Sequence, residues 1–224
     1  MIRGWCLLVL LLAAGPAGCA HLPCLGPAGE APECRTIFLQ GRWQVAHAIE
    51  AVYPDGSRGL LVGVTVLSSV DRTLDCTLMT VEGFVLLDAS EAGAVTIRRA
   101  VPPFDRPGFA AGLLADVRLA LLAPPGTPRI GRDRQGRPVC RYPGPDGRTT
   151  DLLPGAQGWR LEQYDERGRR RRTVALEPVA GGPPGRIRLQ AHGPAGYRLD
   201  LRLLSAVPAP LETATALPPR EKPQ

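Results

Sequence analysis

The chain has 224 residues, with 27 lysine and arginine side chains against 21 aspartate and glutamate, a formal net charge of +6. Lys222 is the only lysine, so the excess is almost entirely arginine, scattered through a sequence rich in Ala, Gly, Pro and Leu. So mild a balance suits an anionic membrane surface or an acidic ligand without pointing to nucleic acid, and the length holds one domain with a substantial core rather than two.

The N-terminus places Arg3 before an apolar run from Trp5 to Ala14, followed by the small residues Gly15-Pro16-Ala17-Gly18 and then Cys19. A basic start, a short apolar stretch and small residues before a cut describe a secretory signal. The run is about half of the roughly 20 residues that a membrane span needs. Small residues leading into a cysteine resemble the bacterial lipobox, with Pro16 where leucine is usual. The resemblance implies removal of residues 1–18 and attachment of a lipid to Cys19. Because Ala20 and not aspartate follows the anchor, it also implies retention at the periplasmic face of the outer membrane. Export argues further against a nucleic-acid partner.

Cys6 would be lost with the signal, leaving Cys24, Cys34, Cys76 and Cys140 as an even set in an oxidising compartment. Two bridges fit, and all three pairings stay open. Cys24 with Cys34 would close a small loop, and Cys76, within a strand pattern, fits equally as a buried thiol. There is no CxxC and the three histidines are scattered, so no metal site is expected, and no cofactor either.

Residues 19–35 are rich in Pro, Gly and Ala and lack apolar periodicity, which predicts a flexible tether. Residues 207–224 predict a Pro-rich disordered tail. The folded body is expected over residues 36–206. Within it, Trp43, Val45, His47, Ile49, Ala51 and Tyr53 alternate with their neighbours, and Pro54-Asp55-Gly56 supplies a turn into Leu60, Val62, Val64 and Val66. Strands around Leu74–Thr80, Phe84–Leu87 and Val95–Val101 extend this to about five sequential antiparallel strands.

The period then changes. Phe109, Leu113, Leu114, Val117 and Leu121 recur at three- and four-residue spacing between Pro107 and Pro124-Pro125, which predicts a helix. Residues 125–158 are rich in Gly, Pro and Arg, with a short hairpin over 138–142 and 148–153. Strands return at Trp159–Tyr164 and around Thr173–Glu177. Ile187, Leu189 and Ala191 then pair with Tyr197, Leu199, Leu201 and Leu203 in the clearest hairpin, dry on one face and wet on the other. The fold class is α+β, mostly β: a large curved antiparallel sheet, a half-barrel, with a covering helix around an apolar face or cavity.

This order of parts resembles the LolA/LolB-like lipoprotein-carrier superfamily over Gly41 to Ser205. The residues that carry the resemblance are Leu39-Gln40-Gly41-Arg42-Trp43-Gln44, the run Leu78 to Leu86 with its turn at Glu82-Gly83, the helix segment Leu113 to Val117 and the meander from Trp159 to Leu203. It implies a half-barrel closed by helices around a cavity for acyl chains. The family usually has a helix before the first strand, for which the Pro- and Gly-rich stretch from Leu22 to Pro32 leaves little room. Val70, within Ser68 to Arg72, is the candidate for the apolar residue that the receptor branch presents on a protruding loop. The cavity residues that follow are Trp43, Val45, Ile49, Val62, Val64, Leu113, Val117, Leu199 and Leu201.

No Gly-x-Ser-x-Gly occurs, and Ser57, Ser68, Ser69, Ser90 and Ser205 have no activating context, so no catalytic residue is assigned. His47 shares a strand face with Trp43 and Ile49 and reads as a satisfied core or lumen histidine; His192 falls in a turn. Asp165-Glu166 reads as hairpin-turn chemistry. Arg169, Arg170, Arg171 and Arg172 form either a charge-protected hairpin edge or a contact for anionic headgroups. The function expected is a non-enzymatic, lipid-anchored periplasmic protein that binds a lipid or the acyl chain of a lipoprotein and aids its transport or insertion at the outer membrane. A structural or assembly lipoprotein docking a partner protein is the alternative, and a hydrolase the third.

Overall fold

The computed structural model describes residues 22–27, 34, 37–179 and 182–209. Cys19, and the tail beyond residue 209, lie outside them. Twelve strands form one sheet: β1 (Arg42–Val52), β2 (Arg58–Ser68), β3 (Thr73–Met79), β4 (Val85–Ala92), β5 (Ala94–Ala100), β6 (Arg129–Arg132), β7 (Pro138–Pro143), β8 (Thr149–Gly155), β9 (Gly158–Tyr164), β10 (Arg170–Glu177), β11 (Arg186–Ala191) and β12 (Arg198–Pro208). Among the described residues a single helix, α1 (Phe109–Leu121), lies between β5 and β6.

The strand order is β5-β4-β3-β2-β1-β12-β11-β10-β9-β8-β7-β6, antiparallel throughout. Every neighbour is also a neighbour in sequence except the central pair, β1 with β12. The chain therefore starts at the middle of the sheet, meanders out to one edge, and crosses to the opposite edge through α1. It then meanders back to the middle. A sheet of this width twists and curls, and the crossing helix lies in the hollow so produced.

Local chemistry sets the hairpins. At the first turn the backbone amide and hydroxyl of Ser57 both donate to Asp55 Oδ1, at 2.9 and 2.6 Å, and Gly56 takes the left-handed φ of 83° that the turn requires. Asp165 does the same for the β9–β10 turn, accepting from the amides of Arg167 and Arg169 at 3.0 and 2.9 Å. Pro107 lies just outside α1, and the helix ends at Leu121, short of Pro124.

The core packs on the concave face of the sheet and against part of α1. Val45, Leu67, Leu74, Leu87, Leu114, Leu152, Leu161 and Val174 are fully buried there, each worth up to about 1.5–3 kcal/mol over an exposed position. The opposite, convex face is polar and explains much of the arginine content. Arg186 pairs bidentately with Asp200 across β11 and β12, Arg188 with Glu177 at 2.6 Å, Arg160 with Glu162 at 2.8 Å, and Arg98 with both Asp75 and Asp88. These are surface pairs of small individual worth, cross-strand except for Arg160 with Glu162, which lies within β9.

The described parts of the expected tether, residues 22–27 and Cys34, make contacts with the sheet. Gly26 exchanges backbone hydrogen bonds with Arg132 of β6, and Arg141 donates to the carbonyl of Pro23 at 2.8 Å. Cys34 is buried and disulfide-bonded to Cys140 of β7, with the Tyr142 hydroxyl donating to the Cys34 carbonyl at 3.0 Å. Residues 22–27 and 34 are thus fastened to the β6–β7 side of the sheet by contacts more than a hundred residues away in sequence, which local composition does not encode. Of the three open pairings the structure selects one bridge, and Cys24 and Cys76 are free thiols, exposed and buried respectively. At the other end β12 runs to Pro208, two residues into the expected tail.

Candidate functional site

The crossing helix does not fill the hollow it spans. Between α1 and the inner faces of β1, β2, β3, β11 and β12 lies a cavity of about 510 Å³, within the roughly 300–1,000 Å³ typical of small-molecule sites. Its long walls are apolar. Ile49 and Ala51 come from β1, Leu61 from β2, Leu78 from β3, Ile187 and Leu189 from β11, Leu199 and Leu201 from β12, and Phe109, Leu113 and Val117 from the helix.

One end of the cavity meets solvent. Pro54, Pro103, Arg106 and Pro107 are exposed there, beside half-buried Tyr53, Phe109 and Tyr197. The other end is closed by His47, Thr65, Cys76, Ala120 and Leu121, all buried, beyond which Val45, Leu67 and Leu74 close the core. Tyr53, just past the end of β1, is six steps along the chain from His47, a depth of roughly 20 Å at about 3.3 Å per step. The helix from Phe109 to Leu121 gives about 18 Å at 1.5 Å per residue. The two independent measures describe a deep slot.

Two glycines line it. Gly63 stands opposite His47 in the β1–β2 ladder, and the room left by its missing side chain is taken by Ile49, whose Cδ1 lies 2.9 Å from where a Cβ would sit. Gly112 lines the cavity from the helix, and a methyl group added there would meet nothing within 4 Å.

Besides Tyr53 and Arg106 at the mouth, polar groups gather in two places. On the wall, buried Asp116 of α1 accepts from Arg172 Nε of β10 at 2.8 Å and from the Tyr197 hydroxyl, while the Arg172 guanidinium stacks 5.5 Å from the Tyr197 ring. This tie fixes the helix to the C-terminal half of the sheet. On the other side Arg118 bonds Glu91 of β4 at 2.6 Å. Burial, then the Asp116 charge, pushes the Tyr197 phenol far above its ordinary range.

At the closed end, burial lowers His47 to about 4, so its imidazole is neutral at pH 7. Its Nε2 is buried and has no hydrogen-bond partner among the described residues. Thr65 Oγ1 and Cys76 Sγ share a hydrogen bond of 3.1 Å. Burial raises the Cys76 thiol to about 11, against a smaller opposing effect of that hydrogen bond, so it stays protonated. His47 Nε2 thus has no hydroxyl or thiol in the position that a nucleophile and base pair requires. Among the described residues no cluster of metal-ligating side chains occurs, and no helix is long and apolar enough to cross a membrane.

Of the residues read from sequence as cavity lining, Ile49, Leu113, Val117, Leu199 and Leu201 meet around the slot. Val45 and Trp43 lie on the same face of β1 but below the closed end, Val45 in the packed core and Trp43 half-buried against it. Val62 and Val64 require correction. The ladder pairs Ile49 with Leu61, His47 with Gly63 and Val45 with Thr65, so the odd-numbered residues of β2 face inward and Val62 and Val64 face out.

The arginine run is corrected as well. β10 is an interior strand and not a hairpin edge. Arg172 turns inward to Asp116, while Arg169, Arg170 and Arg171 are exposed, Arg170 in a pair with Glu162. Val70, at the β2–β3 turn, is 70% exposed. Sequence reasoning missed Asp116, Thr65, Cys76, Tyr197 and Gly112 as parts of the slot. A glycine on the apolar stripe of a helix was the one signal that could have exposed a gap.

An open antiparallel half-barrel whose two halves are bridged by a helix over an apolar slot is the class that this geometry defines. Among solved structures the chain is similar to a LolA superfamily protein from Nitrosomonas europaea, at 14% identity and a TM-score of 0.51, over 80% of this chain and 90% of that one. At that identity the likeness is one of fold, and the fold is LolA-like. No family model matches the sequence, and no curated protein does.

Proposed function

We propose that the protein is a non-enzymatic carrier that takes an acyl chain of a lipid or lipoprotein into the slot beneath α1. In this reading it is held at the periplasmic face of the outer membrane by a lipid on Cys19, and it aids transport or insertion there. The observation that carries the reading is the slot itself: roughly 20 Å deep, apolar along its walls, open beside Pro54 and Pro107 and closed by buried residues at His47. A chain buried in it gains about 0.8 kcal/mol per methylene, enough to hold such a face open against collapse. Exposed Arg169 and Arg171 are available to anionic headgroups, each worth about 1 kcal/mol near such a surface.

Native mass spectrometry of the full-length protein extracted from membranes tests the cavity. A retained acyl-bearing adduct, lost on delipidation and regained on adding phospholipid, is the expected result. A protein that carries none and takes up none overturns it. Labelled palmitate incorporated by the wild type and not by Cys19→Ala tests the anchor separately.

A further inference from the structure

The slot offers a ligand two different ends. An acyl chain entering methyl-first would lay its least polar atoms on His47, Thr65 and Cys76 and leave the buried His47 Nε2 without a partner, the arrangement that folded proteins avoid most consistently. A chain entering head-first would satisfy it. We propose that the slot binds a free long-chain carboxylic acid with its carboxyl group at the closed end, held between His47 Nε2 and the Thr65 hydroxyl. This rests on the acyl-carrier reading above and names the ligand class for the same site.

The donor and acceptor inventory fits that head group. His47 is 4% exposed and Thr65 5%. Both point to the same side of the sheet, because His47 pairs with Gly63 and Thr65 lies two residues further along β2. Diagonal neighbours of this kind are about 7–8 Å apart, a span that one carboxyl group bridges. With the Cys76 thiol donating to Thr65 Oγ1, the threonine hydroxyl is left to donate to the carboxyl C=O. The carboxyl O–H then donates to the lone pair of neutral Nε2.

The proton count follows. Free acid and free His47 are both deprotonated at pH 7, whereas the bound pair shares one proton, whichever partner holds it. Binding therefore takes up about one proton, and affinity falls about tenfold per pH unit above neutrality. The surroundings of His47 do not supply that proton or blur its titration. β2 presents Gly63 and Thr65, β12 presents Leu201 and Leu203, and β3 presents Cys76 in its protonated form. The charged groups lining the slot are Asp116, paired with Arg172 and Tyr197, and Arg106 at the rim.

Calorimetric titration of the delipidated full chain with dodecanoic acid and with methyl dodecanoate, from pH 6.5 to 8.5 and in two buffers of different ionisation enthalpy, tests this. The acid is expected to bind with uptake of about one proton and a tenfold weakening per pH unit, and the ester without either. His47→Leu and Thr65→Val are expected to remove the advantage of the acid while leaving ester binding in place. Acid and ester binding alike, with no proton uptake, overturns the head-first assignment and leaves the carrier reading standing. Neither binding overturns both.

Discussion

Gly112 is where stability and ligand binding are set against each other. It lies within α1, and a side chain grown from it enters the slot without touching the wall. Gly112→Ala removes the helix-interior glycine and is expected to stabilise the fold by about 0.8–1 kcal/mol. Gly112→Leu keeps that gain and adds the burial of an apolar side chain, about 1.5–3 kcal/mol, less about 0.5–1 kcal/mol of rotamer entropy. The net expectation is a variant about 2–3 kcal/mol more stable. The same atoms occupy the path of an acyl chain. If they displace four methylenes, binding loses about 3 kcal/mol, a factor above 100 in Kd. Urea unfolding and titration of a fluorescent acyl probe measure the two quantities on one protein. Opposite signs are expected. A Gly112→Leu variant that is destabilised, or that binds the probe as the wild type does, would show that the slot is not the binding site or that the helix does not border open space.

Other expectations follow from the ties around the slot. Burial lowers His47 from its ordinary 6.5 in the unfolded chain to about 4 in the folded one. The unfolded chain binds the proton first, so the stability that neutral His47 contributes is complete above pH 6.5 and is lost as pH falls to 4, roughly 3 kcal/mol in all; a His47→Gln variant whose urea midpoint tracks wild type across that window refutes it. Asp116→Asn leaves Arg172 and Tyr197 without their shared anion. With Arg172 still partly in contact with solvent, the expected loss is about 2–3 kcal/mol, and a change in denaturation free energy too small to resolve would show that the tie is idle. Reducing the Cys34–Cys140 bridge, which spans 106 residues, is expected to cost about 2–4 kcal/mol; melting temperatures with and without reductant, compared with Cys34→Ala, read it directly.

The elements were legible in the sequence because they are local. Alternation marked β1, β3, β11 and β12, and the change of period at Phe109 marked a helix that the structure places over the same residues. β6 was missed, since Arg129–Arg132 is too short and too rich in arginine and glycine to show a pattern. The facing of β2 was misread for a physical reason. Its valines outnumber the apolar residues among Gly59, Leu61, Gly63 and Thr65, yet the five-residue connection from Tyr53 to Ser57 sets a register in which these, and not the valines, face the slot. Apolarity favoured the wrong parity because a hollow needs small residues where a packed core needs large ones.

The same reasoning explains why the slot persists between two well-packed halves. The chain returns to the centre of the sheet only at β12, so β1–β5 and β6–β12 meet along one hydrogen-bonded seam, β1 with β12, and are otherwise joined by α1. The helix is held from both sides, through Glu91 on β4 and through Arg172 and Tyr197 on the C-terminal half. Closing the slot would require α1 to sink toward Gly63. That movement would pull Arg118 from Glu91 and Asp116 from Arg172, leaving partly buried charges without partners. The ion pairs thus act as spacers as well as ties, and the space they maintain is where Gly63, Gly112 and the unpartnered His47 Nε2 are found.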